Sequence, residues 1–217
     1  MHVFVSVIVA LGCAALPWGA VSVPTRWIAI AAAPLLALMA AGVVLGLSFY
    51  PFSDVIVLGF GVLGGIVLGR AMPPRFKPFA VLLLILSALD VAQNMVFSGP
   101  PPAPSTALLT TPDPHLIWLN VRIPLTGGHF NIGFADLILI AAISEQLRRR
   151  GVRLQLAVLP GVIGVGLGEA VAASLPASPP ALLSAITASV IPFLTAGYAL
   201  TELALSQAAP ETGSTGG

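Results

Sequence analysis

Between Arg26 and Asp54 the chain carries no charged residue at all. A run of this kind is long enough to cross a bilayer, because ~30 Å of hydrocarbon takes ~20 apolar residues at 1.5 Å rise each. It is not isolated. Apolar segments of comparable length fall at about 3–21, 27–48, 54–70, 79–97, 129–147, 154–175 and 181–205. Charged residues make up 8% of the chain, against roughly a quarter in a soluble domain, so water cannot be the solvent for most of this surface. The sequence therefore predicts an all-α polytopic membrane protein with about seven transmembrane helices.

The breaks between segments contain turn residues or charge. Pro24 and Arg26 separate the first two, and Pro51, Ser53 and Asp54 the next two. Pro73, Pro74, Arg75 and Lys77 follow the third, a glycine-rich span suited to close helix packing. The first segment is read as a span rather than a secretory signal, because no Lys or Arg precedes it. Ala10 to Cys13 only faintly resembles a lipoprotein cleavage site. Residues 98–114 are too proline-rich for a helix, and 116–123 alternate as a short strand would. In that strand Trp118, Asn120 and Arg122 share one face and Leu119, Val121 and Ile123 the other. The organisation expected is three N-terminal helices (1–78), a four-helix core with an outer loop 98–128 (79–206), and a disordered tail (207–217).

Loop charge orients the chain. The loops after spans one, three and five hold Arg26, Arg70, Arg75, Lys77, Arg148, Arg149, Arg150 and Arg153, eight of the nine basic residues. The positive-inside rule then puts the N-terminus outside, the C-terminus in the cytoplasm and the 98–128 loop outside. A net charge of +1 gives no basic field for nucleic acid. The single cysteine, Cys13, excludes an intrachain disulfide or a thiolate zinc site, and no metal or other cofactor is expected.

Ionisable groups inside a bilayer are costly and need a reason. Asp90, Asp136 and Glu169 lie within spans and away from their ends, with Glu202 near the cytoplasmic end of the last. Asp90 is seven residues before the outer end of span four, and Asp136 seven residues after the outer start of span five. Both carboxyls then sit ~10 Å below the outer surface on consecutive antiparallel helices. Two carboxylates sharing a low-dielectric site do not both ionise, which is the arrangement that lets one activate water while its partner donates a proton. A helix-packing hydrogen bond or a proton path would use the same residues, and both readings stay open at this point. Gln93 and Asn94 share the Asp90 face and suit packing. Gly161, Gly164, Gly166 and Gly168 read as a close-packing face, and Glu169 as a partnered structural acid. His115 and His129 lack the acid or thiol cluster a metal site needs.

The flanking motifs add a resemblance. Asp90 sits in Leu89-Asp90-Val91, Asp136 in Gly133-Phe134-Ala135-Asp136, and the last span opens Pro180-Ala181-Leu182. The ordered set resembles the presenilin and signal peptide peptidase family of intramembrane aspartyl proteases, across roughly residues 79–205. That family has Tyr-Asp, then Gly-x-Gly-Asp, then Pro-Ala-Leu. Leu89 stands where it has tyrosine and Ala135 where it has the second glycine, and it carries additional N-terminal helices. The resemblance implies a presenilin-like C-terminal core with Asp90 and Asp136 catalytic. It also implies that Gly133, Phe134, Ala135, Pro180, Ala181 and Leu182 border the site, and that transmembrane helices or signal peptides are the substrates. The orientation resembles the signal peptide peptidase branch. The competing expectations are a non-catalytic relative or a small proton-coupled transporter. A prepilin peptidase, whose aspartates lie toward the cytoplasm, fits the outward depth poorly. In the protease reading, the 116–123 strand offers an edge to an unwound substrate, though an amphipathic surface loop has the same pattern.

Overall fold

The structure, a computed structural model, describes residues 2–47, 49, 51–97, 116–125, 128–175, 182, 183, 186 and 190–208. It is mostly helical: α1 (His2–Gly19), α2 (Thr25–Leu45), α3 (Phe52–Ala71) and α4 (Phe76–Phe97) come first. A short 3-10 turn (Leu116–Leu119) leads into the hairpin β1 (Asn120–Leu125) and β2 (Gly128–Gly133). The chain ends with α5 (Phe134–Arg149), α6 (Leu154–Ala157), α7 (Leu159–Ser174) and α8 (Ile191–Ala208). Among the described residues three helices are long and apolar enough to cross a membrane: α2, α3 and the Phe76–Gln93 part of α4, with mean hydropathies of 2.5, 2.0 and 1.6. This is a helical membrane protein.

Local chemistry sets the ends of these helices. Pro24 and Pro51 stand immediately before α2 and α3, where a missing backbone donor costs nothing. Gly46 closes α2 in the left-handed conformation at φ 61°, and Gly151 takes φ 78° just after α5. Pro17 and Pro34 lie inside helices that continue through them, as neighbouring helices permit in membrane proteins.

The core is built around α5, whose residues from Leu139 to Leu147 are all buried. Its most extensive neighbour is α3, running parallel to it. The glycine-rich character of α3 has a direct geometric use. A Cβ on Gly61 would meet the Leu137 Cβ at 2.7 Å, and one on Gly69 would meet the Ala142 carbonyl at 2.9 Å. One on Gly65 would run into the Ile138 carbonyl. Three glycines one turn apart thus let the two backbones touch, in the manner of small-residue seams in membrane bundles. A second seam joins α7 to α8, where Gly164 abuts the Leu194 backbone and Gly197 the Pro160 carbonyl. Of the predicted glycine face on α7, Gly161, Gly164 and Gly168 make close approaches, whereas Gly166 faces open space.

The loops expected to share a side do meet at one end of the bundle. Arg70 at the end of α3 donates to the carbonyls of Ala20 (2.8 Å) and Val23 (2.6 Å), and to Glu145 at 2.8 Å. Arg149 donates to the Gly69, Arg70 and Met72 carbonyls, and Arg150 pairs with Glu202 of α8.

Two expectations are corrected, the start of the fifth span and the packing partner of α4. The fifth span begins at Phe134, not 129, because residues 128–133 are strand β2. Phe130 and Ile132 continue the apolar character of the helix that follows, so the boundary is hidden until Gly133. The last span is described as helix from Ile191 to Ala208, with Leu182, Leu183 and Ile186 also helical and the rest of 181–189 outside the described residues. Helix α4 packs chiefly against α8, not against its sequence neighbour α5. The Ser87 and Thr195 hydroxyls join α4 to α8 at 2.9 Å, and Phe79 meets the Tyr198 ring edge-on at 5.5 Å. The expected 116–123 strand is present as a 3-10 turn followed by β1. Most of the outer loop 98–128 and the tail beyond Ala208 lie outside the described residues.

Candidate active site

Asp136 occupies the first turn of α5, three residues after strand β2 ends. Gly133 is the residue before the helix, with φ −65° and ψ 144°, and the Asp136 carboxylate folds back against it. An acid at this position reaches back to satisfy a helix-start amide and favours the positive end of the helix dipole. That local role explains why the backbone tolerates an acid here. It leaves the second carboxylate oxygen for other partners.

Gly133 is tied to Asp136 in a second way. A Cβ placed on it would lie 3.0 Å from Asp136 Oδ2 and 3.9 Å from Asn120 Oδ1. Asn120 opens β1 and is the cross-strand partner of Gly133. The hairpin therefore brings Asn120 together with Gly133 and Asp136 around one small space. The glycine's lack of a side chain is what keeps that space open.

Asp90 lies on α4, half-buried, with its carboxyl in the electrostatic neighbourhood of Asp136. The two acids singled out from sequence are thus electrostatic neighbours, although their helices are not each other's main packing partners. Asp90 and Asn120 are each engaged in further interactions. Phe134 and Ala135 are half-buried beside Asp136. Leu89, the residue before Asp90, is 61% exposed. Leu182 is helical and exposed, while Pro180 and Ala181 lie outside the described residues.

Gln93 is exposed. The side chains of Asn94, Glu169 and His129, and all of His115, lie outside the described residues. Among the described residues no group of three His, Cys, Asp or Glu side chains could hold a metal ion.

Sequence reasoning passed over two polar features. Asn120 looked like one polar member of an alternating strand, and its pairing with Gly133 depends on the hairpin register. Glu145 fell near the end of a span, where an acid ordinarily reaches water. It is instead fully buried, held by Arg70 and by Arg148 at 2.7 Å. The signal available was the Glu145–Arg148 spacing of one helical turn. No protein-family model, curated protein or solved structure matches this chain.

Proposed function

We propose that this chain is an intramembrane aspartyl protease, with Asp90 and Asp136 as the catalytic pair and transmembrane helices or signal peptides as substrates. The reading rests on the placement of Asp136 at the strand-to-helix junction, with Asp90 of α4 in the same electrostatic neighbourhood. Two acids that sense each other inside a helical membrane protein can divide the work of peptide hydrolysis. One takes a proton from water as the water oxygen attacks the scissile carbonyl. The other donates a proton to the carbonyl oxygen, giving a tetrahedral diol. Collapse of that diol breaks the C–N bond as a proton passes to the leaving amine.

The hairpin suits a substrate that must unwind first. A transmembrane helix hides its carbonyls in its own hydrogen bonds, so cleavage requires an extended segment. A two-stranded sheet leaves one edge of each strand unpaired within the sheet, and β2 leads directly into the Asp136 turn. An unwound substrate adding to such an edge would be delivered toward Asp136. In the same reading the chain spans the membrane seven times with a presenilin-like core in its C-terminal half. Its N-terminus is outside, and the arginine-rich end is cytoplasmic.

The test is cleavage of a reporter helix whose N-terminus faces the cytoplasm, in proteoliposomes. Asp90→Ala and Asp136→Ala should each abolish product. Unchanged cleavage in both would sink the proposal. A second reading, a non-catalytic or proton-coupled membrane protein, draws on the packing of α4 against α8 and on the capping role of Asp136. It expects pH-driven flux without peptide products.

A further inference from the structure

We infer that Asn120 is a third polar member of the aspartate site, a positioning residue whose side-chain amide orients the Asp136 carboxylate. The inference rests on the protease reading for its kinetic consequence but not for its geometry. Antiparallel pairing of Asn120 with Gly133 puts the two on the same face of the hairpin. The helix that starts one residue later turns Asp136 back onto that face, so that its Oδ2 lies against Gly133. Asp136 Oδ2 and Asn120 Oδ1 then flank the position that a side chain on residue 133 would fill, at 3.0 and 3.9 Å from it.

The chemistry of the pair is specific. A carboxylate only accepts hydrogen bonds, whereas an asparagine amide has two donors and an acceptor. A half-turn about the bond to the amide exchanges its oxygen for the NH2 group. An asparagine beside Asp136 therefore has both the donor an ionised carboxylate needs and the acceptor a protonated one needs. A group that serves both protonation states suits an acid that must gain and lose a proton in each turnover. Gly133 lies against the carboxylate from the helix side, and Asn120 Oδ1 lies across the same small space on the paired strand. Asp90 on α4 is then the remaining acid that acts on it. Asp54 stands at the start of α3, which packs on β1, and is the other described acid at this end.

The test separates placement from catalysis. In purified full-length protein, the infrared difference between the unmodified chain and Asp136→Asn isolates the Asp136 carboxyl band. Asn120→Leu, of similar volume without hydrogen-bonding groups, should shift that band while leaving thermal unfolding nearly unchanged. It should also lower kcat roughly ten- to a hundredfold, the worth of one hydrogen bond to a charged group, with KM within about twofold. An unmoved carboxyl band overturns the inference whether or not the protein cleaves. A shifted band with kcat unchanged overturns the positioning role while the protease reading stands. A shifted band in a protein that cleaves nothing supports the Asn120 contact and removes the protease reading instead.

Discussion

Gly133 faces the carboxylate of Asp136 so closely that a methyl group on its α-carbon would stand 3.0 Å from Oδ2. The backbone at this glycine, φ −65° and ψ 144°, is one that any residue adopts. A glycine is required there by the neighbouring acid, not by chain geometry.

This predicts a separation of activity from stability in Gly133→Ala. The added methyl displaces the carboxylate by a few tenths of an ångström; on the protease proposal, where a misplacement of about 1 Å costs ~100-fold in rate, this shift should slow cleavage several-fold. Folding should be unaffected or gain about 0.5 kcal/mol, since alanine restricts the unfolded chain. Cleavage rate and thermal unfolding measured on the same preparation check both halves. Equal activity in Gly133→Ala would mean that the carboxylate is not held where the glycine leaves room for it.

Glu145→Ala should be among the most destabilising substitutions at the arginine-rich end. Glu145 is fully buried, and Arg70 and Arg148, at 11% and 17% exposure, are both turned onto it. Removing the acid leaves two largely buried guanidinium groups without their counter-charge, a loss of about 3 kcal/mol or more. Glu145→Gln keeps the shape and one acceptor and should fall between the two. Thermal unfolding in a fixed detergent gives the order. Because Arg70 also binds the Ala20 and Val23 carbonyls, protease nicking of the α1–α2 loop should rise with Glu145→Ala.

The same chemical change should have opposite signs on two helices. Gly65→Ala forces a methyl into the Ile138 carbonyl and to 2.6 Å from the Ala141 Cβ, so α3 must back away from α5. Overpacking of this kind costs about 1–3 kcal/mol. Gly166→Ala on α7 meets nothing within 4 Å and should stabilise by up to about 1 kcal/mol through helix propensity. Unfolding midpoints of the two variants, compared with the parent chain, decide this.

How far the sequence discloses this molecule can be argued from the same residues. The apolar runs and the proline breaks place α1 to α4 within a few residues, because hydropathy and missing donors act locally. Clustering of the basic loops at one end was legible from charge alone, and hydrogen bonds from Arg70, Arg149 and Arg150 realise it. Asp90 and Asp136 stand out because a charge within an apolar run is expensive wherever the chain folds. The start of α5 was hidden because Phe130 and Ile132 of β2 lead without a charge or proline into the apolar run of the helix. Packing of α4 on α8 was not legible, since it is settled by Ser87 meeting Thr195 across 108 residues of sequence. Asn120 and Glu145 acquire their importance only from partners that arrive through tertiary structure.

Trp118 supplies a final test, of what holds the hairpin in place. Its ring covers Gly42 of α2 so closely that no side chain fits between them, and its indole N–H donates to the Leu47 carbonyl at 2.6 Å. That carbonyl belongs to the turn just beyond the end of α2, where helix hydrogen bonding has run out. Trp118→Phe keeps most of the ring and loses the hydrogen bond, about 1 kcal/mol. Trp118→Ala empties a buried site and should cost about 3 kcal/mol or more locally. Since β1 follows directly from Trp118 and β2 leads into Asp136, the expected result is graded. Amide hydrogen exchange in β1 and β2 should accelerate modestly in the phenylalanine variant and strongly in the alanine one, with α3 and the buried part of α5 unchanged. Cleavage should fall in the same order. Uniform protection across both strands in Trp118→Ala would show that the hairpin is anchored through α3 and α5 alone, and that the α2 contact is incidental to the site.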